Sequence, residues 1–597
     1  MDLEDMMRNS HSIYLKISIL LIATLLFGCS KVSSNQLDSE EANKNQKEEQ
    51  NSGDEGSKDS LKNTPESFIN NMSEDLSEEG LSFDSGDYYT DYNEREVNYI
   101  QLNESSIVFS GEGAFVSDNI ISISKPGTYV VFGMLKDGQI VVEEKTGGLV
   151  RLILKDAIIH CEKGAPIDIK EAGKVMISLV PGTRNVLTDG ISEDNSLSNT
   201  NATIYCESDL TLNGSGRLVM NAMDQNAIVS EGVLKMVEGD YEIRSVAHGI
   251  IGEEAVLIDA AKMKITSGKD GIRTSNDSVN SKGLIFMNRS EFVISSKQDG
   301  IQADKNLVVQ DGVFTLNSEE DAIHSDGSIS IKNGTFTIAS GDDGIHADRS
   351  LSIAMADITI TSSYEGIEGS MIHIKSGKLN IVSTDDGINV SGGSDGNKEN
   401  SKEEEDSFME GEGMLSFSGG TVTVYAGGDG IDINGSATMT AGTLIIEGPT
   451  NHANGAIDYD GVFEISGGTL LAVGSRKMAM APSNTSKQNS LLLNLEEVIE
   501  EETLLCLLEG EDRIPVMAYL PSKSYQSIVY SSPLLEEGKS YTLSTGGNTT
   551  PKEAMNIYTP KAYEEGIDQA YVTINGTLTT YGELKKPDRQ LLDEIIE

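Results

Sequence analysis

The chain is 597 residues long, and 95 Asp and Glu against 45 Lys and Arg leave a formal net charge of −50 and a pI near 4.4. No basic cluster follows the first few dozen residues, which excludes a nucleic-acid partner; so acidic a balance serves solubility or the capture of divalent cations. Tryptophan is absent, so an aromatic platform for a sugar ring has to be Tyr or Phe.

Residues 1–29 read as an export signal rather than as part of a fold. Arg8 and Lys16 precede an apolar run from Ile17 to Gly28, too short to span a bilayer, which closes on Leu26-Phe27-Gly28-Cys29. This is the form of a lipoprotein signal with Cys29 as the acylated residue, and it predicts a chain lipid-anchored on the extracellular face of a bacterial cell membrane. An ordinary secretory signal cut elsewhere is the plainer alternative. Asp2, Glu4 and Asp5 are unusual before such a run and point to a start at Met6 or Met7. Residues 30–92 are rich in Ser, Asn, Glu, Asp and Lys and poor in large apolar residues, a composition that buries too little surface to fold and predicts a disordered tether. Cys161, Cys206 and Cys506 are odd in number and lack metal-ligand spacing, so they read as buried thiols.

Residues 93–475 form the predicted folded body. Between Val97 and about Gly190 the strands are irregular, as in Ile120-Ile121-Ser122-Ile123 and Val150-Arg151-Leu152-Ile153-Leu154, and suit the opening coils of a solenoid. From about Thr203 to Gly474 an Ile recurs at 204, 228, 250, 272, 301, 323, 345, 367, 388, 431 and 457, with a basic period of 22 residues and longer gaps where repeats carry insertions. Within each repeat short alternating runs such as Thr335-Phe336-Thr337-Ile338 are separated by Gly, Asp and Asn. Alternation of period two bounded by turn residues predicts short strands, and three of them per 22-residue coil predict an all-β, right-handed parallel β-helix. Residues 476–547 read as its closing cap and 548–597 as an acidic tail; the protein is expected to be a monomer.

Two residues before the recurring Ile stands an acid: Asp270, Asp299, Asp321, Asp343, Glu365, Asp386 and Asp429. Neighbouring coils lie roughly 4.7–4.9 Å apart, so stacked carboxylates repel unless neutralised. Calcium, at roughly 2.3–2.6 Å from its oxygens, matches that spacing. Asp342 and Asp385 at the same turn, and Asp304, Asp326 and Asp348 three residues after the Ile, add oxygens, and the glycine of each Asp-Gly turn is expected to expose carbonyls as well. The plainer reading is that each Asp caps backbone amides in an ordinary turn. One residue after the Ile, alternation predicts an outward stripe, Arg273, Gln302, His324, His346, Glu368, Asn389, Asp432 and Asp458. Arg273, His324 and His346, with Tyr425 and Tyr459 near the turns, are the candidate saccharide contacts, a solvated strand face being the plainer account.

Gly127-Thr128-Tyr129, Asp137-Gly138-Gln139-Ile140, the repeated Asp-Gly-Ile turns, Gly428-Asp429-Gly430-Ile431-Asp432, Gly455-Ala456-Ile457-Asp458-Tyr459-Asp460-Gly461 and Ser531-Ser532-Pro533 together resemble the bacterial cell-surface carbohydrate-binding domain family with a pectate-lyase-like β-helix, over roughly Val97 to Gly547. The resemblance implies binding, without cleavage, of acidic polysaccharide such as polygalacturonate, and of cellulose, with Ca2+ held by Asp residues of the coils. A calcium-dependent lyase is the alternative, with Lys269, Arg273, Lys297 and Arg349 as candidate bases. A surface spacer or adhesin is the second.

Overall fold

The computed structural model describes residues 81–190, 201–275, 282–391, 413–550 and 557–582. Cys29, the export signal, most of the tether and the polar run from Gly392 to Gly411 lie outside the described residues. The described chain is all-β and winds as a parallel solenoid through about 14 turns, about 23 residues apart.

Each turn contributes three strands, and each strand pairs in parallel with its equivalent one turn on. Ile301–Ala303 lies on Ile323–Ser325, Asn306–Val309 on Ser328–Ile331, and Gly312–Ser318 on Gly334–Ala339. The alternation read from the sequence is the alternation of burial: Ser290–Ser296 and Gly312–Ser318 are buried at every second residue. The recurring Ile forms one continuous ladder, paired residue to residue from Ile204 to Ile457 and running back through Ile167 to Ile140. Phe292, Phe314 and Phe336 stack beside it, with ring centroids 4.8 and 4.4 Å apart. These inward stacks form one uninterrupted apolar core, and its burial stabilises the solenoid by roughly 25 cal/mol per Å² of apolar surface removed from water.

Both ends are closed. At the start Asn98–Glu104 pairs antiparallel with Ser106–Ser110, and Ala114–Ser117 with Ile120–Ile123. At the far end Tyr525–Ser531 lies antiparallel between Thr469–Gly474 and Ser490–Ile499. A four-stranded sheet of Ile514–Tyr519, Leu505–Glu509, Ser540–Thr545 and Ile567–Thr573 encloses a second core there. Such ends leave no flat open rung for edge-to-edge strand addition.

Two boundaries move. The cap does not end at 547: Ile567–Thr573 completes its sheet and Leu578–Tyr581 pairs with Ser490–Ile499, so the stretch expected to be a tail supplies cap strands. Nor does the tether reach 92. Leu81 and Phe83 pack on Val233, Leu257, Leu284, Phe286 and Val308. Asp87 is fully buried between Lys174, at 2.7 Å, and Lys235, at 3.0 Å. Arg151 donates to the carbonyls of Tyr89 and Asp91, at 2.8 and 2.6 Å. Residues 81–91 are therefore a strap laid along the solenoid. Cys161, Cys206 and Cys506 are buried free thiols, as expected.

Candidate functional site

The Asp-Gly-Ile turns stack because a glycine fits where a side chain does not. A Cβ on Gly300, Gly344 or Gly366 would meet the carbonyl oxygen of the next turn at 2.5, 2.5 and 2.2 Å. Close approach, rather than a left-handed turn, is what these glycines permit. The carbonyls they were expected to offer to a cation are already accepting: Ile272 N–H donates to Gly300 O at 3.1 Å, Ile367 to Gly387 at 3.2 Å and Ile388 to Gly430 at 3.2 Å.

The acids above these glycines stack in register. In each, Oδ1 accepts the amide of the acid one turn on: Asp299 N–H to Asp270 at 3.2 Å, Asp321 to Asp299 at 3.0 Å, Asp343 to Asp321 at 2.7 Å and Asp429 to Asp386 at 2.6 Å. The amide-capping role is thus real, and it fixes each carboxylate while leaving Oδ2 for another partner. What that partner is changes along the ladder.

From Asp270 to Asp343 the partners are basic. His248 Nδ1 and an Arg273 guanidinium nitrogen lie 3.1 and 3.0 Å from Asp270 Oδ2. His324 Nδ1 is 3.4 Å from Asp299 Oδ2 and 3.9 Å from Asp321 Oδ2; His346 Nδ1 is 3.5 Å from Asp321 Oδ2 and 3.7 Å from Asp343 Oδ2. On the far side of the rings stand the acids that follow each Ile by three, joined at His346 by Glu368 of the next turn, which follows its Ile by one. His324 Nε2 is 3.6 Å from Asp326 and 3.7 Å from Asp348, and His346 Nε2 is 3.5 Å from Asp348 and 3.9 Å from Glu368. The two rings stack with centroids 4.9 Å apart, so an imidazole pair separates two columns of carboxylates. Burial alone would discharge these rings. The carboxylates of Asp299, Asp348 and Asp321 outweigh it and hold His324 up at about 11, and Asp321 and Glu368 hold His346 at about 9. Asp343 is shifted upward by burial and by the neighbouring Asp321 and Glu368.

From Glu365 onward no base intervenes among the described residues. Among the described residues no Lys, Arg or His forms an ion pair with Asp386, Asp429 or Asp432, and one oxygen from each of the three lies within 4.8 Å of the others. Burial first, then neighbouring acids, raises Glu365 to about 8, Asp386 to about 7 and Asp429 to about 6, although the Asn389 amide and the backbone amides of Asp429 and Gly455 pull the other way. Asp432 is raised for the same reason, with Asp458 and Asp460 beside it. Calcium prefers a shell made wholly of oxygen, and this donor set fits it; the imidazole-separated stretch does not.

The outward stripe is therefore not the solvated face expected of it. His346 is 2% exposed and Glu368 6%, because the outer acids and the stacked neighbours cover them. Asp304, Asp326 and Asp348 belong to the outer column, and Asp326 is raised by burial and by its two neighbours there. Asp342 joins Asp321 and Asp343 in a further acidic group. A cleft of about 430 Å³ opens over the basic stretch, lined by Asp270, Arg273, Gln298, Asp299, Gln302, Glu320, Asp321, His324 and Asp342. The expected tyrosines lie apart from that cleft. Tyr459 donates to Ala481 O at 2.7 Å and packs on Phe463, while Tyr425 stands beside Glu447 and Tyr519 of the cap junction. The exposed ring beside the ladder is Tyr364, 49% accessible, its hydroxyl bonded to Asp385. Its place near the coil turn, one residue before Glu365, already makes it an aromatic candidate in the sequence beside Tyr425 and Tyr459. The partners of the imidazoles are marked in the sequence by position only, Asp326 and Asp348 as acids three after the Ile and Glu368 as a member of the outward stripe, with nothing to show that they enclose the rings.

Known proteins place this geometry in a family. The family model of carbohydrate-binding domain-containing proteins matches residues 117–366, 315–396 and 343–491. A carbohydrate-binding domain-containing protein of Acetivibrio thermocellus is 38% identical over 137 residues, 22% of this chain and 48% of the relative, so this chain spans about half the length of that relative. A solved structure, titled as the polysaccharide lyase-like protein from C. thermocellum in its gadolinium derivative, is 28% identical, with a TM-score of 0.36, covering 44% of this chain and 96% of that one. With the matched segments running through most of the solenoid, the chain belongs to the family of carbohydrate-binding domain-containing proteins.

Proposed function

We propose that this protein binds an acidic, uronate-rich polysaccharide without cleaving it, and that calcium held by Asp386, Asp429 and Asp432 takes part in the binding. One observation carries the reading: a stretch of stacked, half-buried carboxylates that, among the described residues, pairs with no base and offers only oxygen. Such a stretch calls for a cation, and a polymer rich in carboxylates needs one to approach an acidic surface. Calcium bound there supplies positive charge and open coordination positions for sugar oxygens. The protein's own part is to fix the three carboxylates through the turn amides and to present Tyr364 beside them as a flat ring for a sugar face.

Binding rather than proton abstraction is supported by the state of two of the four candidate bases, Arg273 and Lys297. Arg273 is tied to Asp270 and to the Thr274 carbonyl, and Lys297 is ion-paired with Glu319. A base engaged with a carboxylate has no lone pair to offer a substrate proton. The signal ending at Cys29 puts the binding face outside the cell, lipid-anchored.

Native electrophoresis through gels cast with polygalacturonate, with calcium or with EDTA, tests the proposal. Calcium-dependent retardation, without growth of the ultraviolet absorbance of unsaturated uronides, is expected; cellulose is the neutral comparator. Growth of that absorbance would make the protein a lyase, and equal mobility in all gels would remove the polysaccharide reading.

A further inference from the structure

The imidazole-separated stretch of the ladder carries a second and chemically different inference, independent of the calcium reading. We propose that His324, His346, Asp321 and Asp299 form a site for a borderline divalent transition metal, of which zinc is the physiological example. Both imidazoles turn Nδ1 toward the same Oδ2 of Asp321, at 3.9 and 3.5 Å, and Asp299 Oδ2 lies 3.4 Å from His324 Nδ1. One atom each from Asp321, His324 and His346 falls within a 4.8 Å set.

In a tetrahedral site with metal–nitrogen distances of roughly 2.0–2.1 Å, ligand atoms stand about 3.3–3.5 Å apart. Of the six separations that four such ligands define, the three given above include two already at that value, and rotation of the stacked rings about their Cβ–Cγ bonds adjusts the others. Two nitrogens and two oxygens are a donor set that imidazole-seeking metals favour and calcium does not.

A second observation, on the other edge of the rings, points the same way. Metal-bound histidines characteristically direct their second nitrogen at a carboxylate, which fixes the tautomer and raises the basicity of the ligating nitrogen. Here each Nε2 faces such a group: Asp326 and Asp348 for His324, Asp348 and Glu368 for His346. The opposite edge of each ring is thereby directed at Asp321. Asp321 is itself held by its Oδ1, which accepts the Asp343 amide at 2.7 Å. Entry is through the cleft, which His324, Asp299 and Asp321 line. Binding exchanges the Nδ1 protons of the two rings for the ion, so protons are released as metal is taken up.

The test uses chelator-stripped full-length protein, kept in excess calcium so that all-oxygen sites are filled, and titrated with Co2+. One equivalent is expected to give the visible d–d absorption of a four-coordinate nitrogen-containing site, bleached by one equivalent of Zn2+ and unaffected by more calcium. His324→Gln, at a partly exposed position that tolerates change, is expected to lower Co2+ affinity about 100-fold. Asp348→Asn, behind the rings, is expected to lower it about 10-fold, and Asp432→Asn not at all. Absence of the absorption from the parent protein, an unchanged spectrum in His324→Gln, or displacement of Co2+ by calcium would each overturn the site; the first would leave the imidazoles as protonated internal counter-ions.

Discussion

From Asp270 to Asp343 the ladder carboxylates face His248, Arg273, His324 and His346, whereas from Asp386 to Asp432 they face one another. Both stretches use the same turn, the same small residue before the Ile, Gly or Ala322, and the same Oδ1-to-amide bond. Most of the difference comes from one position, the residue after the Ile; His248 instead stands two before its Ile, in the register of the acids. Arg273, His324 and His346 occupy it in the first stretch; Asn389, Asp432 and Asp458 occupy it in the second. A solenoid thus converts a one-residue choice per turn into a change of ligand chemistry along its axis. Nitrogen and positive charge are built in at one end, and only oxygen, short of a counter-charge, remains at the other.

The sharpest way to break the comparison is to remove the built-in base. His346→Ala in metal-free protein leaves Asp321, Asp343 and Glu368 buried with one fewer counter-charge, and stripping one partner from a buried charged set costs about 3–5 kcal/mol. Asp432→Asn in the other stretch should do the reverse without calcium, raising the unfolding midpoint by relieving repulsion. Equal losses from both substitutions, measured by urea unfolding in EDTA, would show that the two stretches do not differ electrostatically. Calcium comes next. At 100 times its dissociation constant it should add about 2.7 kcal/mol to the parent protein, the same to His324→Gln, and nothing to Asp432→Asn. A calcium response that survives Asp432→Asn would move the site elsewhere on the ladder.

The shared turn is tested by Gly366→Ala, whose Cβ would stand 2.2 Å from the Gly387 carbonyl and whose overpacking should cost about 1–3 kcal/mol. Ala322 occupies the same register naturally and is fully buried, so an Ala322→Gly control should be nearly neutral. A neutral Gly366→Ala would mean that the turns part easily, and the ladder spacing would lose its authority as a template for cations.

How far the sequence revealed these features depended on whether a contact repeats. Ile301, Ile323 and Ile345 recur at 22 residues, and their stack, the strand register and the acid column two residues before them could all be read directly. His346 could be placed on its strand, but not its burial, since a period-two pattern assigns a side chain to the outer face without saying that Asp348 of the outer column and Glu368 of the next turn close over it. The strap escaped entirely. Asp87 meets Lys174 and Lys235 across 87 and 148 residues, through contacts made once, in a stretch whose composition resembles the tether before it. The strands of the tail were hidden in the same way, since Ile567–Thr573 finds its partner only in the finished cap.

The strap supplies the smallest and most specific test, because its charge balance is the inverse of the ladder's. In the ladder several carboxylates share few cations, and burial wins, raising Glu365 and Asp386. At Asp87 burial pushes the same way, but Lys174 and Lys235 face a single carboxylate and together hold it below its usual value. A carboxylate depressed in the folded state stabilises the fold above its unfolded pKa of about 3.9 and ceases to do so as pH falls through the folded value. The parent protein should therefore be more stable than Asp87→Asn at pH 6, and the gap should close on acidification below about pH 3.9. Because the Leu81 and Phe83 contacts are unchanged in that variant, the pH-dependent part of the difference reports the contacts that favour the ionised carboxylate, the two lysines and the Asp84 amide. A gap that stays constant down to acid pH would mean that the Asp87 side chain holds the strap through neutral hydrogen bonds, such as the one it accepts from the Thr211 hydroxyl at 3.4 Å, and that charge balance governs the ladder only.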